Sequence, residues 1–375
     1  MTRTEKLLGE LIALPSVNPA FLPSGDPRAG ERCVAEFLAA IAARAGLGVE
    51  FQPVIPGRSN LLVRLLPAGK KKQTLMLAPH LDTVNGTDDQ FTPQKKDGVI
   101  FGRGACDTKG SVAAMMSALC ELAQSGRRPA ATEIIFAGLA DEENSQAGSR
   151  ALGATGLKAD LAIVGEPTRL KVVTAHKGSL WLRLETGGKS AHGSRPDLGR
   201  NAVHAMARIV HLLETEYAEQ LVQRRHPLLG HATVSVGVIQ GGTQPNIVPD
   251  RCTMVMDRRT LPGETEASVC REIKALLRRN RLQVTCIDDK SAPCHPLETN
   301  PKLPLVSQFL RELGQRGPVG VDYFCDAAVL AEAGIPSVAF GPGNIAQAHT
   351  ADEWISLAQL ERGKSMLAAF LRSLP

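Results

Sequence analysis

The sequence predicts an α/β protein in which a discontinuous domain with a mostly parallel central sheet carries an inserted α+β domain. Three observations predict this. The chain has 375 residues, more than one ordinary core serves, so two domains are expected. Residues 1–175 alternate helical and strand patterns, and residues 291–375 return to that style. Residues 176–290 differ: their strands alternate apolar and polar side chains, as half-exposed strands do.

The N-terminal stretch MTRTEKLLGELIALPSVNP reads as an amphipathic helix with Leu7, Leu8, Leu11 and Ile12 on one face. Apolar runs place strands at Asn60–Leu66, Thr74–Ala78, Thr132–Ala137 and Leu161–Val164, and small and apolar residues place a helix at Gly110–Gln124. In the insert, strands are expected at Ser179–Thr186, Ala232–Ile239, Cys252–Arg258 and Leu282–Asp288, with helices at Asn201–Glu219 and Ala267–Asn280. That order predicts a small sheet with two helices on one face. Afterwards come helices at Leu303–Leu313 and Ala327–Ala333, a short strand at Ser337–Phe340, and a last helix from Ser356 to Leu374.

Composition excludes several classes. Apolar residues at 43% and charged residues at 22% are those of a soluble globular chain. Aromatics at 4% argue against nucleic-acid binding by stacking, and a net charge of +5 makes no case for a polyanionic partner. The arginines at 224, 225, 278, 279 and 281 read as solvated surface. No apolar run reaches the ~18 residues of a membrane span. The first residues carry Glu5 and Glu10 and lack the apolar stretch of a signal peptide. Eight cysteines without a CxxC pair fit free thiols in a reduced, cytoplasmic setting.

Five places carry chemistry, and four lie where a strand ends. His80 and Asp82 follow Thr74–Ala78; Asp107 sits in the turn GRGACDTKG; Glu142 and Glu143 follow Thr132–Ala137; Glu166 follows Leu161–Val164. The fifth, His349, lies in GPGNIAQAHTADEW after the last short strand. In an open α/β sheet, the crevice beyond the carboxyl ends of the strands is the usual site. Histidines and carboxylates gathered there repel one another unless a divalent cation joins them. Imidazole with carboxylate suits zinc, and two metals sharing a carboxylate is the two-ion variant. Asp82, two residues from His80, is placed to fix that ring's tautomer. Of two adjacent glutamates, one binds while the other handles a proton. A structural calcium site is the competing reading, and the two histidines argue against it.

The ordered set APHLDTV, GRGACDTKG, ADEEN, GEPTRL, SAHGSRPDLGRNA, GGTQPNIVPD and FGPGNIAQAHTADEW resembles the dinuclear zinc amidohydrolases. These include acetylornithine deacetylase, succinyl-diaminopimelate desuccinylase, aminoacylase and the glutamate carboxypeptidases. The resemblance implies a zinc-peptidase-like catalytic domain, residues 1–175 and 291–375, and a ferredoxin-like dimerisation domain, residues 176–290. It implies two zinc ions per subunit, with cobalt as a substitute: His80 and Glu166 on one, Glu143 and His349 on the other, Asp107 shared. Glu142 is then the general base and Asp82 the partner that orients His80. The Asp107–Thr108 peptide is expected to be cis. His192 matches a histidine that reaches the partner subunit's active site and helps stabilise the oxyanion. Asn246 and Arg258 resemble substrate-contacting residues, with Arg259 as the rival for the second role. Gly341, Pro342 and Gly343 are expected to lay their backbone near the substrate.

The activity so implied is metal-dependent hydrolysis of the amide bond of an N-acyl amino acid by a cytoplasmic homodimer, with no membrane or nucleic-acid partner. ADEENSQAGSR, GEPTRLKVVTAHKG and FGPGNIAQAHTADEW look most like the acetylornithine deacetylase branch, an activity of arginine biosynthesis. The desuccinylase is the nearest alternative, then an aminoacylase or dipeptidase. The alternative of another class is a relative that binds metal or ligand without catalysis.

Overall fold

The computed structural model describes residues 2–288 and 294–375, so the expected domain boundary between residues 290 and 291 lies outside the described residues. The chain divides into two compact units. One comprises Met1–Thr174, Thr299–Val319 and Cys325–Pro375; the other comprises Ala175–Glu298 and Gly320–Phe324.

In the first unit, apolar strands build the sheet. From its edge the order is Gly48–Ile55, Arg58–Leu65, Thr132–Gly138, Gln73–Pro79, Leu161–Gly165, Ser337–Ala339. The first two pairings are antiparallel and the rest parallel, which makes the centre of the sheet parallel. Gln73–Pro79 lies mid-sheet and is buried on both faces, as its unbroken LMLA run requires. Helix Lys109–Gln124 packs Val112, Met116 and Leu119 into a core with Leu75, Leu77, Ile134, Phe136 and Ile163, and Leu7, Leu8, Leu11 and Ile12 of the first helix join it. Register aligns the strand ends. Leu77 pairs with Phe136, Pro79 with Gly165, and Ala339 with Val164. Four parallel strands therefore end at one edge, and the residues after each of them share it.

The structure adds helices Arg32–Arg44 and Ala147–Ala154 and the edge strand Gly48–Ile55, which the pattern reading lacks. The edge strand is mostly exposed, so no apolar run marks it.

In the second unit the strand order is Thr233–Gly241, Arg251–Thr260, Gly178–Gly187, Thr285–Asp288, all antiparallel. Helices Ala202–Leu212 and Glu266–Arg279 bring Met206, Ile209, Val269 and Ile273 into one core with Leu182, Leu184, Met254 and Met256. This is the ferredoxin-like arrangement. The helix expected over Asn201–Glu219 is interrupted: Ala202–Leu212 passes into a π turn at Leu213–Tyr217 before Ala218–Val222. Among the described residues no helix is long and apolar enough to cross a membrane.

His176 is fully buried in this unit, and burial pushes its pKa down from the ordinary 6.5 to about 4. Its Nδ1 lies 2.9 Å from the Lys177 carbonyl, while Nε2 has no partner among the described residues. The folded chain therefore holds His176 neutral while the unfolded chain protonates it. Stability from this group is full above pH 6.5 and falls as pH drops towards 4, by about 3 kcal/mol in all. Denaturant unfolding of wild type and His176→Gln from pH 7.5 to 4.5 checks this. The wild-type advantage is expected to shrink with acidity, and a pH-independent difference contradicts it.

Candidate active site

The residues after the four parallel strands meet in the first unit. His80 follows Pro79 and is 2% exposed. Its Nδ1 lies 3.0 Å from the Asp82 carbonyl oxygen and 3.4 Å from Asp82 Oδ1. Its Nε2 lies 3.1 Å from Asp107 Oδ1. The other oxygen, Asp107 Oδ2, is 3.4 Å from His349 Nε2, which is itself 3.2 Å from Glu143 Oε2. One carboxylate thus stands between imidazoles from opposite ends of the chain.

Local structure explains the placement. The loop carrying Asp107 is held from inside by Glu353, which is 1% exposed. Glu353 accepts the backbone N–H groups of Cys106 at 2.8 Å, Asp107 at 2.9 Å and Gly104 at 2.9 Å, and pairs with Arg103 at 2.7 Å. The Asp107–Thr108 peptide is cis, as the resemblance implies. Asp82 does for the glutamates what Glu353 does for Asp107. Its two oxygens accept the N–H groups of Glu142 and Glu143, each at 3.1 Å. That fixes the turn and sends Glu143 towards His349, so the adjacent glutamates divide their directions.

The electrostatics are those of crowded, buried carboxylates. Burial pushes Glu142 well above the ordinary carboxylate range; Glu166, Asp326 and Glu143 add to the rise, and His80 opposes it. Glu166 is raised well above by burial, then by Asp107. Burial raises Glu143, with His349 opposing. Asp107 is buried too, but His349 and His80 hold it well below the ordinary value. Burial disfavours a charged His80, yet Asp107 and Asp82 hold its pKa well above normal. Hydrogen bonds donated to the Asp107 and Glu143 carboxylates raise His349 to about 10. Glu143 Oε1 and Glu166 Oε1 are buried without a partner among the described residues. Unpartnered buried carboxylate oxygens beside two imidazoles fit a divalent cation. His80, Asp107 and Glu143 place donor atoms within 4.8 Å of one another, which makes them a candidate metal site.

The remaining sequence candidates fall in different places. Gly341 leaves no room for a side chain, since a Cβ there would lie 2.6 Å from the Glu166 carbonyl oxygen and against Ser111. Gly343 has φ 95°, in the left-handed region that favours glycine. Its N–H donates to Gln359 at 3.1 Å, and its carbonyl accepts the Arg169 N–H at 2.8 Å. His192 and Asn246 lie together on the second unit, both exposed, joined by the Gly193 N–H donating to the Asn246 carbonyl at 2.7 Å. Arg258 corrects an expectation. Its side chain is fully buried and committed to Tyr217 Oη at 3.2 Å, the Arg259 carbonyl and Glu264 at 2.6 Å, so its fork has no face for a substrate carboxylate. Arg259, paired with Asp257 at 3.0 Å, is the member that reaches solvent.

Asn18, Arg58, Asp141 and Glu353 also support the site, and no sequence pattern points to them as a group. Each is buried or nearly so and acts through hydrogen bonds, so no local period marks it. Only Asn18 has a local signal: in SVNP it caps the short helix Pro19–Phe21.

With that donor set at the carboxyl edge of its sheet, the chain is, by its family match, a metal-dependent amidohydrolase. The sequence matches the model of Peptidase family M20/M25/M40 over residues 76–373, and the chain belongs to that family. It is 31% identical over 384 positions to an acetylornithine deacetylase of Proteus mirabilis (strain HI4320), covering 98% of this chain and 96% of that one. The structure superposes on aminopeptidase PepT of Bacillus cereus ATCC 10987 with a TM-score of 0.79 at 22% identity, covering 99% of this chain and 97% of the other. A dinuclear metal-binding M20 peptidase of Bacillus subtilis gives 0.71 at 14% identity, over 99% and 97%.

Proposed function

We propose that the chain is a deacylase of N-acyl amino acids, converting N-acetylornithine and water to ornithine and acetate. The observation that carries the site is the Asp107 carboxylate standing between His80 and His349. The deacetylase relative supports the acyl group. His80 and Glu166 would hold one zinc ion, Glu143 and His349 the other, and Asp107 both. When bound, the ions supply Lewis-acid activation of the carbonyl and of water.

The protein groups perform the rest. Asp82 faces His80 Nδ1 and holds the ring so that Nε2 points at the site. Glu142 takes a proton from the attacking water as the C–O bond forms. It gives that proton to the amine nitrogen as the C–N bond breaks. A carboxyl with its pKa raised by burial suits both transfers near neutral pH. His192 of one subunit would help hold the oxyanion in the other, with residues 176–290 forming the homodimer. Asn246 and the backbone of Gly341 and Gly343 would line the substrate.

Zinc-loaded protein assayed against N-acetylornithine, N-succinyl-diaminopimelate, N-acetylmethionine and a dipeptide tests the substrate. The highest kcat/KM is expected for N-acetylornithine. Preference for another member of the panel overturns the acetyl assignment, and preference for the dipeptide moves the chain to the peptidase branch.

A further inference from the structure

We propose that Glu31, Arg58, Asp141 and Asn18 form a positioning device that sets the Glu142–Glu143 turn against His80; this rests on the roles proposed above for those three residues. Asp141 immediately precedes Glu142 and has φ 68°, a left-handed conformation uncommon outside glycine. Something must hold it there. Its carboxylate accepts Arg58 Nη1 at 2.7 Å and Asn18 Nδ2 at 2.9 Å, and Ser145 Oγ also donates to it. Its backbone N–H donates to Glu31 Oε1 at 3.1 Å, and its carbonyl accepts the Gln146 N–H at 2.7 Å. Arg58 closes the ring, with Nε 2.9 Å from Glu31 Oε2 and Nη2 on Glu31 Oε1. The guanidinium fork thus fixes the acceptor of the Asp141 N–H and, separately, the Asp141 carboxylate.

Asn18 carries the link onward. One amide hydrogen goes to Asp141 and the other to Asp82 Oδ2 at 2.7 Å, while Asn18 Oδ1 accepts the Ala20 N–H at 3.1 Å. Asp82 in turn accepts the Glu142 and Glu143 N–H groups and faces His80. Glu31, Asp141 and Asp82 are each 1% exposed and Asn18 is fully buried. Three buried carboxylates thus share one cation and one amide. Arg58 touches neither the candidate ligands nor the Glu142 carboxyl. It acts through Asp141, as a positioning residue.

The test uses the full-length enzyme loaded with cobalt, whose d–d absorption reports ligand geometry. Arg58→Met is expected to lower kcat about 10–100-fold, to leave KM within about threefold, and to change the cobalt spectrum. Arg58→Lys keeps the charge without the fork and is expected to recover part of kcat. Asn18→Ala cuts the link while leaving the Arg58 ion pairs intact, and is expected to shift the spectrum and kcat in the same direction. Folded variants of either residue with wild-type kcat and spectrum overturn the inference, because a purely structural role moves only the unfolding midpoint. Wild-type protein that takes up no cobalt overturns the metal reading beneath it, a failure visible before any variant is made.

Discussion

Glu142→Gln is expected to retain its metal and lose about 10²–10⁴-fold in kcat, the range that general acid–base groups contribute. The side chain keeps its size, and its backbone N–H still donates to Asp82, so the turn survives. What disappears is the carboxyl whose pKa burial raises and whose neighbours Glu166, Asp326 and Glu143 raise further. KM should change little, because the loss falls on the step in which the proton moves. Metal content and kcat measured on one preparation check this. Near-wild-type rates with full metal occupancy would mean that the base is another group. Loss of metal would mean that Glu142 is itself a ligand.

Asp107→Asn is expected to be more damaging still, because it removes the one carboxylate that faces both histidines. An amide offers one neutral acceptor where His80 and His349 each meet a charged oxygen. Metal affinity should fall by more than the ~100-fold upper range seen for outer partners, and activity should fall to background. In the metal-free protein, His349 should also lose much of the rise that takes its pKa to about 10, since Asp107 is the first cause of that rise. Metal titration together with NMR titration of the imidazole checks both halves. Unchanged affinity would remove Asp107 from the centre of the site.

The parallel sheet was legible because its central strands are buried on both faces and read as unbroken apolar runs. The polar residues that end them stood out for the same reason: His80, Glu142, Glu143 and Glu166 each break from a run that needs no charge. His349 lies well beyond the short strand Ser337–Ala339 that precedes it, so no apolar run ends on it directly. Arg258 shows a signal present but unused. On Arg251–Thr260 the buried positions are Cys252, Met254, Met256, Arg258 and Thr260, so the period of two sends Arg258 inward and Arg259 outward. Glu31, Arg58 and Glu353 were beyond a pattern reading. Arg58 meets Asp141 across 83 positions, and Glu353 meets Asp107 across 246. Such partners become visible only when the sheet register is known. The π turn at Leu213–Tyr217 lies inside a helix whose apolar spacing continues on either side, which hides the interruption.

Under the proposed function, strand ends far apart in sequence converge on two ions that share Asp107. Anomalous diffraction at the zinc edge from crystals of zinc-loaded protein tests it most directly. Two peaks about 3.5–4 Å apart are expected, one beside His80 and Glu166, the other beside His349 and Glu143, with Asp107 touching both. Peaks found only away from Asp107 would contradict it.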